Sequence, residues 1–107
     1  MKTEKKRAVL YTRAMDIPRA FAHIQSLQKY CADNEISVVK HCYDYFDTID
    51  ALDRTMDLLI QQSDKEEPIN YLIIPTREIK GYRMNILRAV LAYCSTELVV
   101  VEYKDLI

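Results

Sequence analysis

Three arginines, Arg13, Arg54 and Arg77, are far apart in the chain, yet each lies just beyond a stretch that reads as a β-strand. In an open parallel sheet, binding chemistry gathers at the carboxyl ends of the strands, so all three can converge on one rim. Guanidinium groups stay charged and present a rigid fork of donors, and two or three in one crevice suit a phosphate. The competing use is ion pairing, because Asp16, Asp47, Asp50, Asp53 and Glu78 border the same rim. Glycine-built phosphate cradles are ruled out: Gly81 is the only glycine, so neither a dinucleotide fingerprint nor a P-loop can form. A phosphorylated-aspartate receiver is also disfavoured, since the first strand ends without an acidic pair.

Other reactive side chains give weaker signals. Cys31, Cys42 and Cys94 are odd in number, widely spaced and set in apolar surroundings, which favours buried thiols in a reducing compartment over a disulfide framework. His23 and His41 make no compact ligand set with them, so no metal site and no cofactor are expected. Among 8 tyrosines, Tyr43 and Tyr45 are two apart and can share one side of a strand. That arrangement fits ordinary sheet packing, with a base-stacking platform as the alternative.

The elements that position these residues follow from periodicity. Ala8 to Tyr11 is a short apolar run that reads as a strand covered on both faces. Asp16 and Pro18 suit a helix start, and Phe21, Ile24, Leu27 and Cys31 recur at helical spacing up to Asp33-Asn34. Glu35 to Phe46 is rich in β-branched and aromatic residues, but Lys40 and His41 interrupt its alternation, as on an edge strand. Asp47 to Asp50 offers caps for a second helix through Ala51, Leu52, Met56, Leu59 and Ile60, which the polar run Gln61 to Pro68 should close. Ile69 to Pro75 reads as a central strand. A third helix runs from Thr76 or Arg77 to about Ser95, and a fourth strand from Glu97 to Tyr103. Alternating strands and helices predict a single α/β domain, core 7–103, in three layers. Its four-stranded, mainly parallel sheet is joined by three crossover helices on both faces.

Composition narrows the class. With 15 Lys plus Arg against 16 Asp plus Glu, the formal charge is -1, which removes the bulk electrostatic case for a free-standing nucleic-acid binder. No stretch approaches the roughly 20 apolar residues a membrane span needs. The four-residue apolar run after the basic start is too short for a secretory signal. A cytoplasmic protein without membrane contact is the expectation.

The sequence from about Arg7 to Tyr103 resembles the N-terminal catalytic domain of the serine site-specific recombinases, the resolvase and invertase family. The likeness runs through Ala8-Val9-Leu10-Tyr11-Thr12-Arg13-Ala14-Met15-Asp16, the helix ending Gln28-Lys29-Tyr30-Cys31, and Asp53-Arg54. It continues through Ile73-Ile74-Pro75-Thr76-Arg77-Glu78-Ile79-Lys80. The resemblance implies strand order 2-1-3-4. It also implies a domain whose serine attacks a DNA backbone phosphate and forms a phosphoserine linkage while arginines stabilise the phosphoryl centre. Arg13, Arg54 and Arg77 match family arginines and become the phosphate-binding candidates, with Asp53 as the accompanying carboxylate.

The departures from the family bear on catalysis. Met15 occupies the serine position, and a thioether has no ionisable proton with which to act as that nucleophile. Thr76 stands at the usual aspartate position, and Lys80 replaces a second arginine, keeping the charge but losing the planar fork. Thr12 and Ser95 carry hydroxyls but not at the matched position. The family's long dimerisation helix and DNA-binding domain do not fit into Lys104 to Ile107, so the expectation is a truncated, degenerate domain from a mobile element. Its expected role is interaction or regulation, as a homodimer or with a recombinase-like partner, and any DNA contact is weak or indirect. Two alternatives remain: residual recombination with an active partner, and an unrelated small α/β protein-binding scaffold.

Overall fold

The computed structural model describes residues 5–45, 48, 50–75 and 82–101. The elements alternate: β1 (Lys6–Ala14), α1 (Ile17–Asp33), β2 (Ile36–Tyr45), α2 (Asp50–Asp64), β3 (Tyr71–Ile74), α3 (Tyr82–Cys94) and β4 (Glu97–Val100). All neighbouring strands are parallel, in the order β2-β1-β3-β4. The apolar runs of β1 and β3 therefore occupy the centre, as expected of strands buried on both faces.

Side-chain alternation along β1 divides the core in two. Val9 and Tyr11 join Leu72 and Ile74 under α2 and α3, packing on Leu52, Met56, Leu59, Leu87 and Leu91. Ala8 and Leu10 join Ile73 on the opposite face, against Ile24, Leu27 and Cys31 of α1. Leu27 is fully buried, and truncating such a residue to alanine costs about 2–5 kcal/mol. Asn70 ties the amino ends of three strands together. Its Oδ1 accepts from the Arg7 amide at 2.8 Å, its own amide donates to Arg7 O at 2.9 Å, and its carbonyl accepts from Glu97 at 2.9 Å.

The start of α1 and the backbone turns that follow the three helices have local causes. Asp16 caps α1, its carboxylate accepting from the Arg19 amide at 2.9 Å, and Pro18 fills the first turn. With no glycine at these positions, Glu35, Glu66 and Ser95 take the left-handed conformation after the three helices, with φ of 56°, 60° and 54°. α2 runs past Gln61 to Asp64, further than its polarity predicts. Its last turn holds a partner, since Gln62 Oε1 accepts from Arg7 Nη2 at 3.1 Å.

β2 is an edge strand, and a bulge explains its broken alternation. Ala8 pairs with Val38 but Val9 pairs with Lys40, which leaves Val39 as an extra residue and switches the faces beyond it. Ile36 and Val38 thus pack with the α1 side, whereas Cys42 packs with the α2 side.

Candidate functional site

Arg13 is the penultimate residue of β1, half-buried, and in register opposite Asp44 of β2. Alternation places it on the same sheet face as Val9 and Tyr11, toward α2. Asp44 is buried and accepts four hydrogen bonds. The Tyr11 hydroxyl donates to Oδ2 at 2.5 Å and the Leu52 amide at 3.1 Å, while the Thr48 hydroxyl donates to Oδ1 at 2.9 Å and the Ala51 amide at 3.0 Å.

This carboxylate is the cap of α2, and sequence reasoning did not single it out. The expected caps were Asp47 to Asp50, next to the helix. Asp44 instead reaches the orphan amides from the end of β2, where the favourable interaction of an anion with a helix amino end adds to the hydrogen bonds. The available signal was an acidic residue in an otherwise apolar and aromatic strand end. Burial, the Asp44 hydrogen bond and that carboxylate's charge hold the Tyr11 hydroxyl neutral far above the usual tyrosine range; Arg13 opposes them to a lesser degree.

Arg54 is exposed on α2 and lines a cleft of about 380 Å³ between that helix and the free edge of β2. Lys40, Cys42, Asp44, Thr48, Ala51 and Leu58 contribute to the same walls. Arg13 by register and Arg54 by this cleft thus both border Asp44. Asp53 does not join them: its Oδ1 meets Arg83 Nη1 of α3 at 3.3 Å. Arg77 and Lys80, with Thr76, Asp47 and Glu78, lie outside the described residues.

Met15 follows β1 immediately, 64% exposed, at the carboxyl end of the central strand. Neither of the two hydroxyl residues singled out from the sequence, Thr12 and Ser95, is exposed at this rim. Thr12 is fully buried and shares a 3.2 Å hydrogen bond with His23 Nδ1 on the α1 side. Ser95 precedes β4, at the opposite end of the sheet. Tyr43 and Tyr45 do share one side of β2, their ring centroids 6.4 Å apart, and Phe21 of α1 meets Tyr43 edge-on at 5.1 Å. Among the described residues no group of three His, Cys, Asp or Glu side chains is placed to hold a metal ion. No helix among them is long and apolar enough to cross a membrane.

The four-stranded parallel sheet in this order, with helices on both faces, is similar in fold to the catalytic domain of a serine recombinase. The chain superposes on the C-terminal catalytic domain of ISC1926 TnpA, an IS607-like serine recombinase, with a TM-score of 0.75 and 19% identity. The match covers 92% of this chain and 71% of that one. The likeness establishes the fold. In that relative the catalytic domain is C-terminal, whereas the sequence resemblance pointed to an N-terminal one. No family model matches the sequence, and no curated protein matches it.

Proposed function

We propose that this chain is a serine-recombinase-like domain that does not cleave DNA and serves as an interaction or regulatory module. The observation that carries the reading is Met15, exposed at the exit of β1 two residues after Arg13. In a serine recombinase the corresponding hydroxyl oxygen attacks phosphorus, displaces a deoxyribose oxygen and leaves a phosphoserine linkage. A thioether has no proton to surrender on forming such a bond, and arginine-stabilised charge cannot supply the missing nucleophile. Arg13 and Arg54 keep the capacity to contact a phosphate, so binding and cleavage come apart in this domain.

The test is covalent capture. The unchanged protein and Met15→Ser are each incubated with candidate recombination sites, and the products are separated by denaturing electrophoresis. Neither protein is expected to form a protein-DNA adduct, because Thr76 and Lys80 also depart from the family pattern. A site-specific adduct of the unchanged protein overturns the reading. An adduct of Met15→Ser alone would place the whole defect at one side chain.

A further inference from the structure

The cleft beside β2 has a second property that phosphate chemistry does not use. Its long wall is the strand edge itself, contiguous from Lys40 to Tyr45, and its other wall is α2 through Ala51, Arg54 and Leu58. Tyr45 turns its backbone away from β1, since its amide donates to Thr48 Oγ1 and its carbonyl accepts from the Thr48 amide, both at 3.1 Å. Backbone groups alternate along a strand, so Tyr43 and His41 turn their N–H and C=O to the same open side. Among the described residues, Thr48 of the β2-α2 connection meets this edge at Tyr45, and no other strand pairs with it at His41 or Tyr43.

Charge and apolar surface flank that edge. Lys40 and Arg54 line the cleft, and among the described residues neither forms an ion pair, while all four Asp44 bonds are already made. On the α1 side of the edge, Tyr45 and Phe21 are 41% and 45% exposed.

We propose that the open edge of β2 and the adjoining face of α2 form a docking groove for one extended, acidic segment of a partner protein, added as a strand beside Val39 to Tyr43. Main-chain hydrogen bonds to His41 and Tyr43 supply affinity in such strand addition, and alternate side chains supply specificity. Residues on the α2 side of the added strand meet Lys40, Arg54 and Leu58, which selects carboxylates. Those on the other side meet Tyr43, Tyr45 and Phe21, which selects apolar side chains. A second copy of this chain fits poorly. Pairing β2 with itself brings Lys40 and Arg54 toward their own counterparts, and the bulge at Val39 works against a long regular ladder. Nucleic acid has no peptide backbone to complete the ladder.

The site is tested by amide NMR of the full chain titrated with a capped synthetic peptide of alternating Glu and Val, and with its counterpart carrying Lys in place of Glu. The acidic peptide should shift the His41 and Tyr43 amides in a saturable manner, and the basic one should not. Lys40→Glu combined with Arg54→Glu should weaken the acidic peptide at least tenfold. Both residues are exposed, and unchanged dispersion of the β1 and β3 amides would certify the fold of the variant. No shifts along β2 at millimolar peptide, or equal responses to both peptides, overturn the proposal. So do the same shifts produced by a DNA oligonucleotide alone, or by raising the protein concentration alone. None of these outcomes depends on whether the domain cleaves DNA.

Discussion

The Tyr11 hydroxyl and the Asp44 carboxylate meet at 2.5 Å, diagonal neighbours on adjacent parallel strands and both buried. Removing the hydroxyl leaves Asp44 one donor short, and a hydrogen bond to a charged group contributes about 1.5–3 kcal/mol. Tyr11→Phe should therefore lower stability by about that amount in urea unfolding near neutral pH. The difference also depends on pH. Burial first, then Asp44, holds the folded-state hydroxyl neutral above the ordinary tyrosine value of 10.0. Below that pH the contribution is fully present. As pH rises further the unfolded chain releases the proton while the folded protein retains it, so stability falls. Denaturation curves should show the wild-type advantage over Tyr11→Phe shrinking above pH 10.0.

Asp44→Ala should be more damaging, because it strands the Ala51 and Leu52 amides together with two hydroxyls. Loss of a capping side chain alone costs about 0.5–2 kcal/mol, and the unsatisfied buried Tyr11 hydroxyl adds about 1–3 kcal/mol. Hydrogen exchange should accelerate first at Ala51 and Leu52. If those amides keep their protection, the carboxylate is not the cap of α2.

The three cysteines should separate by reactivity. Cys42 is half-buried beside the cleft, whereas Cys31 and Cys94 are buried, and burial pushes both of those thiols up. A thiol reagent at neutral pH should modify Cys42 in the folded protein and reach the other two only after denaturant is added. Rapid modification of Cys31 or Cys94 under native conditions would contradict the packing of the two core clusters.

Inorganic phosphate should shift amides around Arg13 and Arg54 if both guanidiniums face one anion. Arg13→Gln or Arg54→Gln should each weaken the response, whereas Asp53→Asn should leave it unchanged, because Asp53 is engaged with Arg83. A flat titration at both arginines would remove phosphate contact from the proposed function.

The architecture was legible because its signals are periodic. Four apolar or β-branched runs alternate with three helical stripes, and the family likeness ordered the strands as observed. The ends of elements were less legible. β1 extends from Lys6 to Ala14, beyond its apolar run, because β2 accompanies it for the whole length. Lys40 and His41 broke the alternation of β2 through a bulge, which a period-2 pattern does not encode. At the site, the family resemblance gave Asp53 as the carboxylate accompanying the arginines; a helix turns successive side chains about 100° apart, and Asp53 meets Arg83 of α3 while Arg54 lines the cleft. Asp44 escaped notice because its role is long-range: no local spacing ties it to Tyr11.

An acidic residue supplied by β2 completes the first turn of α2, and this makes the helix dependent on the sheet for its own beginning. Residues 50–64 excised as a peptide would lose both acceptors, and a helix that short is marginal in water even with good propensity. The helix should therefore be among the later structures to acquire protection during refolding, maturing only when β2 has found β1. Strand pairing, rather than helix nucleation, would then set the pace at which Arg54 reaches its place on the rim.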